Sequence, residues 1–321
     1  MRPRNPNRVR GPELKFLGGE MTMASNESDY LRALYQDWSD RMTANPEMTV
    51  PDLRALFDEW EKPTMEPEGV TYKSDTLGGV DGVWAYPAGC DQSKVMAYTH
   101  GGGFAVGSSS SHRKMAGHLA KALGVSAFIL DYRRAPEHPY PAQIEDAVSV
   151  YQALVDNGIK PGNILTAGDS AGGNLAVATV LKLRDLGLTL PGAVIAFSPW
   201  LDMELSGGTL SSNEATDALV SRPVLEGMRG MFLGEGGDPA DPLANPLKND
   251  FAGYPPLYIN AGEVETLRDD ATRLADKTKA AGVNTTLSVV DGMQHVFPFL
   301  AGRAPEADAE IARIGAWYKA L

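Results

Sequence analysis

One serine in the sequence stands where covalent chemistry is plausible: Ser170, in Gly168-Asp-Ser-Ala-Gly172, with glycine two positions before and two after it. Residues 163–167 carry an apolar core, Ile164 and Leu165, and suit a short buried strand. Residues 171–183 form a long apolar run without proline and suit a helix. Ser170 therefore sits where a strand turns sharply into a helix. Glycine on both sides removes the Cβ atoms that would clash in such a turn, and the turn lifts the hydroxyl above the sheet. A hydroxyl so placed can attack a carbonyl carbon, but it is too weak an acid to do so unaided. It needs a base with a pKa near neutrality, and fixed donors for the charge that builds on the carbonyl oxygen.

Both needs have candidates. His100-Gly-Gly-Gly-Phe104 directly follows a strand expected over 95–99, so three residues without side chains lie at the carboxyl end of a sheet, where open α/β sheets bind ligands. The backbone N–H groups of Gly102 and Gly103, with that of Ala171 after the serine, are the candidate oxyanion donors. Taken alone, each glycine motif is also an ordinary turn signal; together they point to acyl transfer. Of the histidines 100, 112, 118, 138 and 295, the last is best placed, in the loop Asp291-Gly-Met-Gln-His-Val-Phe297 after a strand over Thr285–Val290. His100 belongs to the glycine loop, and the other three fall on helix or loop patterns. An acid to hold the imidazole is expected in Gly262-Glu-Val-Glu-Thr-Leu-Arg-Asp-Asp270, after a strand over 256–261. Glu263 and Glu265 fall on one side of an extended backbone, whereas Asp269 and Asp270 belong to a helical pattern with Leu267, Ala271 and Leu274. All of them could instead cap the helix that follows.

These groups need a frame, and the hydrophobic pattern supplies one. Strands are expected over 70–74, 82–86, 95–99, Val125–Leu130, 163–167, Ala193–Phe197, 256–261 and Thr285–Val290. The first two look antiparallel. The later strands alternate with helices over 113–123, 142–157, 171–186, 267–281 and 304–321. That alternation predicts an α/β fold, a mostly parallel sheet covered on both faces. Two amphipathic helices precede it, with Tyr30, Leu31, Leu34, Tyr35 and Trp38 on one face of the first and Leu53, Leu56, Phe57 and Trp60 on the second. Their aromatics suit packing or a ligand pocket. Residues 201–254 interrupt the alternation with loops rich in Gly, Pro, Ser and Asp around a short helical run, 224–232, and suggest a cap. The expected organisation is a disordered leader over 1–24, cap helices over 25–65, a catalytic core over 66–200 and 255–321, and a cap insertion over 201–254.

At 321 residues and 43% hydrophobic content, the chain suffices for one large α/β domain with a cap. Its net charge of −12 argues against nucleic acid or an anionic membrane surface as a partner, because both need basic patches. A single cysteine, Cys90, makes an internal disulfide impossible and gives no reason to invoke an oxidising compartment, so a cytoplasmic location is expected. No histidine or second cysteine stands near it. With no His-Glu-x-x-His pattern either, neither a metal nor a cofactor is expected. The first twenty residues are polar and lack the apolar core of a secretory signal, and a start at Met21 or Met23 is conceivable. No stretch reaches the roughly 18 apolar residues of a membrane span.

The motifs together resemble those of the bacterial hormone-sensitive lipase family of α/β-hydrolases. The resemblance rests on His100-Gly-Gly-Gly103, Asp131-Tyr-Arg-Arg-Ala-Pro-Glu-His-Pro-Tyr-Pro141, Gly168-Asp-Ser-Ala-Gly-Gly173 and Asp291-Gly-Met-Gln-His-Val296, and extends over about residues 25–321. It implies a catalytic Ser170 and His295, an oxyanion hole from Gly102, Gly103 and Ala171, and a cap built from the N-terminal helices and an insertion. It also implies a metal-free serine carboxylesterase that acts on small esters with short to medium acyl chains through an acyl-enzyme. Position 265 is where the resemblance places the acid, although Glu265-Thr266 stands where many members have Asp-Pro. Arg134 likewise replaces a usual leucine. A lactone or amide would use the same residues. Plant gibberellin receptors resemble the family yet bind without turnover and lack the base, whereas this chain keeps both Ser170 and His295. Oligomeric state, a homodimer included, is left open.

Overall fold

Among the described residues, eight strands form a single sheet: β1 (Val70–Leu77), β2 (Val80–Pro87), β3 (Asp91–Thr99), β4 (Val125–Leu130), β5 (Ile164–Asp169), β6 (Ala193–Phe197), β7 (Leu257–Gly262) and β8 (Thr285–Val290). The structure, a computed structural model, describes residues 24–321, so all but the last residue of the expected leader lies outside the described residues. Strand order is β1-β2-β4-β3-β5-β6-β7-β8. β2 runs antiparallel to β1 and β4, and every other pairing is parallel. All residues of β4, β5, β6 and β7 are buried, as near-continuous apolar strands covered on both faces must be.

The helices are α1 (Asp29–Ala44), α2 (Val50–Phe57), α3 (Ser109–Leu123), α4 (Ala142–Asp156), α5 (Ala171–Asp185), α6 (Thr209–Ser212), α7 (Arg222–Leu233), α8 (Arg268–Ala280) and α9 (Pro305–Lys319). From β3 the chain steps outward through α3 to β4, then crosses back through α4 to β5 on the other side of β3. Right-handed crossovers in opposite directions put α3 on one face and α4, α5 and α8 on the other; α9 packs with α3. The order reverses between β3 and β5, which leaves a crevice at their carboxyl ends. The glycine loop leaves β3 there, and Ser170 follows β5.

The first three strands run well beyond their predicted patterns. β3 begins at Asp91, but residues 91–94 are polar, and a register shift separates Asp91↔Val125 from Val95↔Ser126. β1 is largely solvent-facing and lacks apolar alternation, and β2 pairs along its full length through a tight turn at Gly78-Gly79. In each case backbone pairing extends the strand where side-chain pattern carries no signal.

Above the crevice, α1 meets the 201–254 segment and α2 packs beside it. Trp38 stands edge-on to Phe57 and Trp60, with ring centroids 5.2 and 5.5 Å away. The Ser39 hydroxyl donates to the Ala218 carbonyl at 2.6 Å. Arg54 on α2 reaches down to donate to the carbonyls of Ala105 and Ala135, at 2.9 and 3.1 Å, and pairs with Glu137.

Candidate active site

Ser170 has φ 53° and ψ −120°, a backbone state that costs a non-glycine residue on the order of 1–3 kcal/mol. The strain is imposed from both sides. The Ser170 N–H donates to Phe197 O at 2.9 Å on β6, and its carbonyl accepts from Trp200 N at 3.0 Å. A Cβ at Gly172 would collide with the carbonyl oxygens of Thr99 and His100, so the helix can approach β3 this closely only with glycine there. The turn thus presents Ser170 at the N-terminus of α5, with the Ala171 N–H beside it.

The glycine loop is fixed from several directions. Gly101 N donates to Asp169 Oδ1 at 3.1 Å, and the Tyr132 hydroxyl donates to the His100 carbonyl at 2.7 Å. Arg134 donates to the Gly107 carbonyl at 2.6 Å. That contact gives a structural use to the arginine that replaces a usual leucine. Gly102 and Gly103 have φ 110° and 58°, and Met228 of α7 packs so closely on Gly103 that a side chain at 103 would meet it.

His295 follows β8, as expected, and its Nδ1 lies 2.8 Å from Glu265 Oε2. Both side chains are almost wholly buried, at 2% and 0% exposed. Oε1 of Glu265 accepts from Gly262 N at 3.2 Å, so both carboxylate oxygens are engaged. The Tyr35 hydroxyl of α1 donates to the His295 carbonyl at 3.0 Å, and Val296 N donates to Ser198 Oγ at 3.0 Å. Burial lowers the His295 pKa, but the hydrogen bond and charge of Glu265 outweigh it and leave the imidazole above its ordinary value. Burial pushes the Glu265 carboxyl up, against the pull of His295.

The competing carboxylates have other work. Glu263 Oε2 accepts from Gly292 N at 3.1 Å and Asp269 Oδ2 from Thr209 N at 3.1 Å. Asp270 Oδ2 accepts from Leu201 N and Asp202 N at 2.7 and 2.9 Å, anchoring the start of the insertion. Burial pushes its pKa up to about 7. Thr266 donates its N–H and hydroxyl to Asp217 at 2.8 and 3.0 Å, a backbone bond that a proline at this position could not make.

Ser170, His295, Gly102 and Gly103 line one pocket of about 40 Å³. Its other walls are apolar: Phe57 and Trp60 from the N-terminal segment, Leu219 and Val220 from the insertion, Leu225 and Met228 from α7. Trp200 also lines it and was not singled out from sequence, nor were Ser198 and Arg54. Ser198 and Trp200 directly follow β6 at the carboxyl edge of the sheet, and that position is the signal that could have found them. Of the other histidines, His100 is fully buried and pushed down to about 4 by burial and by neighbouring His112, and His118 donates from Nε2 to the Met65 carbonyl at 2.9 Å.

A family profile described as alpha/beta hydrolase fold matches residues 96–299. An acetyl-hydrolase of Streptomyces hygroscopicus is 39% identical over 76% of this chain and 81% of its own length. An esterase of Acinetobacter venetianus is 34% identical over 84% of this chain and 88% of its own. The crystal structure of an esterase from the bacterial hormone-sensitive lipase family superposes with a TM-score of 0.87 at 38% identity, covering 92% of this chain and 98% of that one. With the sheet order, the strained serine turn and the glycine loop in place, the chain belongs to the α/β hydrolase fold family and, within it, to the bacterial hormone-sensitive lipase family.

Proposed function

We propose that the protein is a serine carboxylesterase in which Ser170, His295 and Glu265 form the triad and Gly102, Gly103 and Ala171 form the oxyanion hole. One observation carries the reading: His295, paired with the buried Glu265 at 2.8 Å, lines one pocket with a serine held at positive φ and with the glycine loop. Nδ1 of His295 is committed to Glu265, so Nε2 is the nitrogen that takes the Ser170 proton as Oγ attacks the ester carbonyl carbon. The carbonyl oxygen becomes an anion facing the three N–H groups, each worth on the order of 2.7–4 kcal/mol in comparable sites. When the intermediate collapses, the C–O bond to the alcohol breaks and His295 returns the proton to the departing oxygen. Water, deprotonated by His295, then attacks the acyl carbon and frees Ser170 and the carboxylic acid.

The substrate is a small neutral ester, because apart from His295 no ionisable side chain lines the pocket. The free volume is only about 40 Å³, so short acyl chains fit with the least rearrangement and longer chains require the cap to move. The test is a series of nitrophenyl esters. Acetate to hexanoate should exceed palmitate in kcat/KM by at least about tenfold; equal or faster turnover of palmitate would contradict the size argument. Among the described residues no helix is long and apolar enough to cross a membrane. The lone cysteine supports a cytoplasmic location as part of this proposal.

A further inference from the structure

Beneath the glycine loop lies a buried polar cluster that the acyl-transfer steps leave unused. Asp169 is 1% exposed, and His100 and His112 are 0% exposed. Asp169 ends β5, one residue before the nucleophile. Its Oδ1 accepts from Gly101 N at 3.1 Å and from the Tyr98 hydroxyl at 2.7 Å, and its Oδ2 faces His112 Nε2 at 3.4 Å. His112 is held on α3 by contacts of its Nδ1 with Ser108 O and Ser111 Oγ at 3.1 and 2.9 Å, and by the rings of Trp60 and Phe299. An ionised carboxylate this far from water costs several kcal/mol unless it is paired and hydrogen-bonded. Burial opposes its charge, but His112 and Tyr98 together keep its pKa below the usual carboxylate value.

The geometry gives this expensive group a use. Asp169 occupies the Gly101 N–H, so the next two, Gly102 and Gly103, are left for the reacting oxygen. The same side chain is covalently continuous with Ser170. One carboxylate therefore joins the root of the oxyanion loop to the nucleophile turn, and a misplacement of about 1 Å between such groups can cost on the order of 10²-fold in rate.

We propose that Asp169, backed by His112, is a positioning residue that locks the oxyanion loop to the nucleophile turn so that the hydroxyl and its oxyanion donors keep a fixed separation. The inference rests on the esterase reading above, and its test presupposes a wild-type chain whose ester hydrolysis depends on Ser170; loss of that dependence overturns the esterase reading first. Asp169→Ala in the full chain should lower kcat by about 100-fold or more, with KM within about threefold, at a temperature where circular dichroism shows it folded. Asp169→Asn keeps an acceptor for Gly101 while replacing the carboxylate oxygen that faces His112 with a neutral amide, and should hold kcat within about tenfold of wild type. Tyr98→Phe removes the other donor to Oδ1 without touching Gly101; it should lower the melting temperature yet leave kcat within about threefold. If Asp169→Ala fails to fold, Asp169→Ser, which leaves room for water, carries the same expectation. Alanine or serine at 169 with kcat within threefold of wild type would overturn the proposal, and so would Tyr98→Phe losing as much kcat as Asp169→Ala.

Discussion

Glu265 shows at the residue scale what spacing can and cannot settle. Four carboxylates, at 263, 265, 269 and 270, compete in one short segment, and alternation removes only the two that belong to a helix. The structure places Glu265 against His295 and gives the other three backbone N–H groups to hold. Which carboxylate meets the imidazole depends on the approach of the loop after β8, and no local pattern encodes that. Glu265→Gln should keep the fold and lower kcat by up to about 10⁴, or ~5.4 kcal/mol, the scale seen when a serine-protease triad loses its acid. Glu263→Gln and Asp269→Asn should stay within a few-fold of wild type in the same assay. The pH profile supplies a second check. Only neutral imidazole can accept the serine proton, and Glu265 raises the His295 pKa above its ordinary 6.5, so the acid limb of kcat/KM should have its midpoint above that value. In Glu265→Gln the raising partner is gone and burial remains, so the midpoint should move to lower pH. An unmoved midpoint would mean that another group titrates.

At the scale of elements, the serine turn was legible because two glycines stand where backbone must approach backbone. Gly172→Ala should therefore destabilise by about 1–3 kcal/mol or more, since a methyl there meets the carbonyls of Thr99 and His100, neither of which can yield. Gly227→Ala, in the interior of α7 with open space around its Cα, should instead be neutral or stabilise by up to about 1 kcal/mol. Thermal melts of the two variants check both signs. The aromatic stripes of the first two helices were legible as stripes but not as to what they face. Tyr35 and Trp38 are wholly buried in the core, whereas Phe57 and Trp60 reach the pocket wall. Helical periodicity fixes a face of a helix; only the contacts of α1 and α2 with the insertion and the glycine loop decide what covers that face.

Over the whole molecule, the sequence carried the architecture because strand and helix patterns alternate, and right-handed crossovers then leave few ways to close the sheet. It did not carry the shape of the pocket, which depends on Met228 lying over Gly103, a contact between segments far apart in the chain. The buried Asp169–His112 pair was likewise invisible, since its members belong to different elements and neither lies in a recognisable spacing with the other. All of these features converge on one hydroxyl at the switch point of the sheet. The most direct measurement is kcat/KM of Ser170→Ala on a short-chain nitrophenyl ester, beside wild type and with the fold verified by circular dichroism. A loss of at least about 10⁴-fold is expected, because binding and the oxyanion hole alone retain only a small part of catalysis. Retention of more than about a tenth of wild-type activity would contradict the acyl-enzyme account.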